Sequence, residues 1–233
     1  MNYPAAVGEF RAPRGHPATM HYRAGTSDWN TLFSALNEDE YGLRGLHLAG
    51  RALDIGAHIG AVAIGLALDN PALAVTAIEP VPDNVRLLRA NVEANDLASR
   101  VTVIEGAAGH GEITVWYGYR GTEIAEHHAF IGNSSLAYDH GGALDHDEIT
   151  YPGLSLSELV DGRQLALLKI DDEGGEYDFL ADPAVGLVQV IVGEWHNVRG
   201  HVQSDIAGLL SATHEVTFSG PADGPGGFRA VRR

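Results

Sequence analysis

LDIGAHIG, residues 53–60, is the stretch whose reading decides the fold. The apolar run RALDI enters it, and GAVAIGLALDN leaves it and stops at Asn70 and Pro71. A short buried run, a glycine turn and a helix-length apolar run read as a strand–turn–helix unit. Glycine lets the chain turn tightly and approach a ligand closely. The helix that follows directs its first amides at that ligand. The spacing is DxGxxxG, with Gly56 and Gly60, whereas a dinucleotide fingerprint would read GxGxxG. Asp54, ahead of the glycines, repels a diphosphate and suits a ligand with an ammonium group.

Outward from this unit the pattern repeats. ALAVTAIEP reads as a second buried strand, PDNVRLLRANVEANDL as an amphipathic helix with Val85, Leu88 and Val92 on one face, and RVTVIEGAAG as a third strand. LALLKIDDEGG and LVQVIVGEWH are a fourth and fifth strand, with the short helix LSLSELVDG before them. HVQSDIAGLLSATH is a helix, and EVTFSG and GFRAVRR form a hairpin across the turn-rich PADGPG. Near-continuous apolar strands alternating with helices indicate a parallel sheet covered on both faces. The expectation is an α/β, Rossmann-like domain over 51–233, with a seven-stranded, mostly parallel sheet and a C-terminal antiparallel strand. Residues 1–50 are read as a cap: a loop-rich arm to residue 25, then a helix over 27–46 begun by Ser27 or Asp28. Trp29, Leu32, Phe33, Leu36 and Leu43 would form its apolar stripe. EITVWYG alternates like a half-exposed strand. The polar, His-rich stretch 119–150 is read as an insertion, its His127-His128 and DHDE as solvated loop.

The chain has 233 residues, 45% of them hydrophobic and 20% charged, as in ordinary globular proteins. Fifteen basic against 31 acidic residues leave a formal charge of −16. A surface of that sign repels polyanions, so a small-molecule substrate is favoured over nucleic acid. No apolar run approaches the ~20 residues of a membrane helix, and the first residues lack a hydrophobic signal core. A cytoplasmic monomer or homodimer with no membrane partner is expected. With no cysteine, disulfides and thiolate metal sites are excluded.

Ligands of open parallel sheets bind outside the carboxyl ends of the strands. Polar residues stand at five such ends: Asp54 with Gly56, Glu79-Pro80, Glu105-Gly106, Asp171-Asp172-Glu173, and Glu194 with His196. The first turn, with Ala57 and His58, would receive the amino-acid end of S-adenosylmethionine. Glu79, 19 residues after Gly60, would accept from ribose hydroxyls. Glu105, Gly106 and Ala107 would border the adenine. Asp171 could touch cofactor or substrate. Asp171, Glu173, Glu194 and His196 are the general-base candidates, with His196 or Asp171 favoured. Glu173 and Glu176 could equally cap the helix that follows them. Lys169, the only lysine, is read as partly buried and ion-paired to an acid. Trp29, Tyr41, Trp116, Tyr117 and Trp195 could line the substrate pocket. No metal is assigned.

LDIGAHIG, AIEPVPDNVRLLRANVEAN, LSLSELV, LLKIDDEGGEYDFL and GEWH, in that order, resemble the motifs of FkbM-type methyltransferases. GNSSL, residues 132–136, resembles a loop of the same family. Asp54, Gly56, Gly60, Glu79, Lys169, Asp171, Glu173, Gly174 and Glu176 keep the pattern. His58 replaces the usual Asn, Asp172 the usual Val and Gly175 the usual Ala. The resemblance implies a class I methyltransferase fold, S-adenosylmethionine as donor, and O-methylation of a small natural product or sugar. Peptide N-methylation, an NAD-dependent oxidoreductase on the same fold, and a cofactor-binding protein without turnover are the alternatives.

Overall fold

The apolar runs assemble as a three-layer structure in the computed structural model, which describes residues 4–117, 147–197, 200–220 and 226–233. The chain begins with strands β1 (Ala5–Arg11) and β2 (Pro17–Arg23), helix α1 (Asp28–Leu32) and a π-helical turn (Phe33–Glu38). Then come β3 (Gly50–Ile55), α2 (Ala61–Asp69), β4 (Leu73–Glu79), α3 (Pro82–Ala94), β5 (Val101–Glu105) and β6 (Glu112–Tyr117). The rest is β7 (Asp147–Pro152), α4 (Leu156–Val160), β8 (Leu165–Ile170), α5 (Glu176–Leu180), a 3-10 turn (Pro183–Leu187), β9 (Val188–Trp195), α6 (Gln203–Leu210), β10 (His214–Phe218) and β11 (Gly226–Arg232).

Seven strands form one sheet in the order β10-β11-β9-β8-β3-β4-β5. All neighbours are parallel except β11, which runs antiparallel to both β9 and β10. The chain moves outward from β3 through β4 to β5, then restarts on the other side at β8. The β3/β8 boundary is therefore the topological switch point, where a crevice opens. Across it, Asp54 stands in register with Lys169. One side of the sheet carries a core that includes Met20, Leu32, Ile64 and Leu88. The other carries one that includes Leu168, Phe179, Trp195 and Ile206.

Three expectations change. The N-terminal arm is not loop-rich: β1 and β2 pair antiparallel from Ala5–Arg23 to Arg11–Pro17. Its signal was the alternation of buried Ala18 and Met20 with half-buried neighbours, which the surrounding Gly and Pro obscured. The helix read over 27–46 ends early. Asp39, at φ 60°, turns the chain left-handed, and its carboxylate accepts from the amides of Leu43 and Arg44 at 2.6 and 3.0 Å. Ser27 makes no side-chain cap. Of the apolar stripe, Leu32, Leu36 and Leu43 are buried and Trp29 is 44% exposed. Lastly, the insertion read over 119–150 ends in structure, because β7 pairs antiparallel with β6 as a separate two-stranded sheet. GNSSL and His127-His128 lie outside the described residues.

The hairpin docks through asparagines. Asn91 of α3 accepts from His21 N at 2.6 Å and donates to His21 O at 3.0 Å. Asn95 does the same to Thr19 at 2.9 and 2.7 Å. Two side-chain amides thus satisfy the free edge of β2 as a neighbouring strand would.

Candidate active site

The turn after β3 is built by close approach. Gly56 has φ 69°, and a Cβ on it would lie 1.8 Å from Asp171 O. Gly60 has φ 98°, and its Cβ would lie 2.4 Å from Leu88 Cδ1. Beneath the turn Asp54 is fully buried and pairs with Lys169 Nζ at 3.3 Å. The same ammonium donates to the carbonyls of Ile55 and Gly56 at 3.1 and 2.8 Å. Burial acts to lower the Lys169 pKa, but Asp54 and Asp171 outweigh it and hold it above its ordinary value. The lysine is the structural ion pair expected of it. Asp54, read as the partner of a ligand's ammonium group, instead has this internal ammonium as its immediate partner.

Glu79 is likewise turned inward. It is 3% exposed and accepts from His58 N, Val81 N and Asn84 Nδ2 at 2.8, 2.9 and 3.1 Å. Burial pushes it up to about 7 against those bonds. It ties the first turn to the start of α3. His58, at φ 51°, places Nε2 3.6 Å from Asp28 Oδ1 and 3.4 Å from Arg23 Nη2. Arg23 holds Asp28 in a two-pronged pair at 2.8 and 2.9 Å and donates to Asn84 at 2.7 Å. The N-terminal hairpin is thereby clamped onto the turn, a connection between residues 23, 28, 58 and 84 that no local pattern announces.

Gly56, Pro80, Gly106, Ala107 and Asp172 line a shallow, mostly apolar slot of about 310 Å³ of empty space, part of it open to solvent, with Ile78 and Val115 in its wall. A flat apolar ring fits such a lining, and the glycines leave backbone at the surface for polar contacts. The Glu105 side chain points away, 3.7 Å from Arg89 and 38% exposed.

The polar residues at the ends of β8 and β9 come together. Asp171 accepts from Tyr41 OH at 2.9 Å and lies 4.0 Å from Lys169 Nζ. Glu176 is fully buried at the start of α5. It accepts from Gly174 N at 2.8 Å and His196 N at 2.7 Å, so it ties the loop before α5 to the end of β9 and makes no side-chain cap on the helix, contrary to the capping reading. His196 Nδ1 is 3.2 Å from Glu176, while Nε2 faces Glu173 at 3.6 Å and Glu194 at 4.0 Å. Burial lowers the His196 pKa, yet its bond to Glu176 and the surrounding acids raise it to about 9. Glu173, at φ 59°, is pushed up to about 6 by burial and Asp171, and Glu194 to about 7 by burial, Asp171 and Glu40. Ligand atoms of Asp171, Glu173 and His196 lie within 4.8 Å of one another, a spacing that could hold a divalent cation.

Among the aromatic candidates, Tyr41 reaches this cluster. Trp29 stacks on Phe33 at 5.0 Å, Trp116 and Tyr117 belong to β6, and Trp195 is wholly buried in the core. Glu40 was not singled out in the sequence. It lies in the acidic run NEDEYG, inside the stretch read as the cap helix.

The comparisons agree with the fold. The family model of the methyltransferase FkbM domain matches residues 54–219. No curated protein matches in sequence. Among solved structures, the chain is similar to a precorrin-6Y C5,15-methyltransferase of Geobacter metallireducens GS-15. The TM-score is 0.51 and the identity 13%, over 85% of this chain and 88% of that one. It is also similar to the 16S rRNA N2 G1207 methyltransferase of T. thermophilus, solved with AdoMet and guanosine. There the TM-score is 0.54 and the identity 13%, over 100% of this chain and 52%, about half, of that one. At such identities the likeness concerns the fold, a class I methyltransferase fold. With the family model spanning most of the sheet and every strand end of the crevice, the chain belongs to the FkbM methyltransferase domain family and is an S-adenosylmethionine-dependent methyltransferase.

Proposed function

We propose that the enzyme transfers the methyl group to a hydroxyl of a small molecule, such as a natural product or sugar. The observation that carries this reading is the cluster Asp171, Glu173, Glu194 and His196, gathered at the switch point beside the glycine turn. S-adenosylmethionine supplies an electrophilic methyl on a sulfonium. The residues on hand fit it: the apolar slot at Pro80, Gly106 and Ala107 would take the adenine, the Gly56–Gly60 turn its amino-acid end, and Glu79 the ribose through its remaining lone pairs. What the chain adds is alignment of the acceptor oxygen and removal of its proton. Glu173 is the base this reading favours, since a carboxylate near 6 is ionised at neutral pH yet basic enough to take a proton. His196, held protonated, balances the acids around it. Asp171, fixed by Tyr41, borders donor and acceptor. Residues 1–50 act as the cap on a catalytic domain of 51–233.

The charge of −16 favours a small acceptor over nucleic acid. The clustered acids favour turnover over mere cofactor binding, and the DxGxxxG turn disfavours NAD. The deciding experiment is a screen of hydroxyl compounds for formation of S-adenosylhomocysteine, with Glu173→Gln as control. Product with a hydroxyl compound, cut at least 100-fold by the substitution, supports the reading. Product with only amines or only RNA refutes it.

A further inference from the structure

The slot past the carboxyl ends of β3, β4 and β5 is apolar with one exception. Asp172, just after β8, is the one polar side chain among the residues that line it; the others include Ile55, Ile78, Ala108 and Val115. Both Asp172 carboxyl oxygens are buried, and neither has a hydrogen-bond partner among the described residues. The neighbouring acid, Glu176, already accepts from Gly174 N and His196 N. Burial and Glu176 together push the Asp172 carboxyl well above its ordinary range. A proton shared between the two acids would serve one oxygen of Asp172 and leave the other without a donor. Whether Asp172 is ionised or neutral, at least one buried acceptor is therefore unmet.

The backbone around the slot does not meet it. Gly106 N donates to Glu79 O at 3.1 Å, and Ala57 N to Ile78 O at 3.0 Å. The carbonyls of Pro80 and Ala107 accept from Tyr151 OH at 2.8 Å and Leu154 N at 2.9 Å. A buried acceptor without a donor is a standing cost that a ligand N–H removes. A ring flat and apolar enough for the slot must carry that N–H on its edge. In a nucleoside, adenine has one such group, the exocyclic amine at C6, because its free ring nitrogens only accept. Hydrogen in its place would offer the carboxyl nothing.

We propose that the Asp172 carboxyl accepts a hydrogen bond from the exocyclic amine of the cofactor's adenine, and so selects adenine over purines that lack this amine. The inference rests on the reading above in which the slot takes the adenine, and adds the side chain that reads the edge of the ring. Asp172 is then a binding residue for the donor, while Asp171 and Glu173 on either side of it face the acceptor and its proton.

Calorimetric titration of the full chain with S-adenosylhomocysteine and with its 6-deamino analogue, in which hydrogen replaces the amine, tests it. The wild-type chain should bind the amine-bearing ligand about 10-fold or more tightly than the analogue. Asp172→Val removes the acceptor and should bring the two affinities within about 3-fold of each other. The melting temperature of the free Val variant should not fall, since a buried group without a partner has been removed. A readout that needs no variant is the amine of nitrogen-labelled S-adenosylhomocysteine, whose proton resonance should move downfield on binding. Tight wild-type binding of both ligands with equal affinity, a preference that Asp172→Val keeps, or an amine resonance unmoved in the complex overturns the inference and leaves the adenine reading of the slot standing. Binding of neither ligand overturns the donor-site reading, and this inference with it.

Discussion

A methyl group on Gly56 would sit 1.8 Å from Asp171 O, inside the backbone of β8's exit. Gly56→Ala therefore combines a steric overlap with a positive φ that by itself costs about 1–3 kcal/mol. Chemical denaturation should show a loss of at least that size, and binding of S-adenosylhomocysteine should vanish with it. The titrating side chains set a pH window. Glu173 at about 6 and His196 at about 9 predict a bell-shaped kcat/KM with limbs near those values. Below the first the base is protonated, and above the second the imidazolium is lost. Glu173→Gln should abolish the acid limb. Stability follows the same groups. His196 is raised from 6.5 to about 9, so its contribution is complete below pH 6.5 and lost as pH rises through about 9. Glu79, raised from 4.5 to about 7, likewise contributes below 4.5 and loses that contribution as pH rises through about 7. Melting temperature should fall from pH 5 to 9.5, and His196→Gln should flatten the part between 6.5 and 9. A flat wild-type profile across that range would contradict the assignment.

At the scale of elements, the hairpin β1–β2 depends on α3. Asn91 and Asn95 satisfy both the amide and the carbonyl of His21 and Thr19, and Asn91 also donates to Ile59 O at 2.9 Å. Asn91→Ala should leave buried polar groups unmade at about 1–3 kcal/mol, and Asn95→Ala, at a less buried position, should cost less. Native-state hydrogen exchange would then show faster exchange at residues 19–23, while the β3–β4–β5 amides keep their protection. Uniform loss of protection across the sheet would mean that the hairpin is not a separable element. The strand and helix succession of the central sheet was readable because each segment's period is local. The arm was not, since its pairing partner is a set of side-chain amides on a helix some 70 residues onward. The early end of the cap helix turns on one left-handed aspartate, Asp39, in a run whose composition favours helix.

For the whole molecule, a donor site formed only in the folded chain predicts ligand-linked stability. S-adenosylhomocysteine at 100 times its dissociation constant should add about 2.7 kcal/mol to unfolding, seen as a higher melting temperature. NADH at the same concentration should add nothing, and a shift with NADH instead would contradict the cofactor. The sequence by itself determined the order of strands and helices of the central sheet, the glycine turn, and the acids at the carboxyl ends, because periodicity and spacing along one segment carry that information. Through the rule of strand ends it also put Gly106, Ala107, Asp171 and His196 just past the carboxyl ends of their strands. Only the tertiary structure decided what each acid faces. Asp54 meets Lys169 because β3 and β8 lie side by side in register, Glu79 turns to three internal donors, Glu105 turns to Arg89 outside, and Glu40 comes to Glu194. A carboxylate's role is set by its nearest opposite charge or donor, and folding brings that neighbour from 2 to 21 residues away for Glu79 but from 115 for Asp54 (169 − 54 = 115).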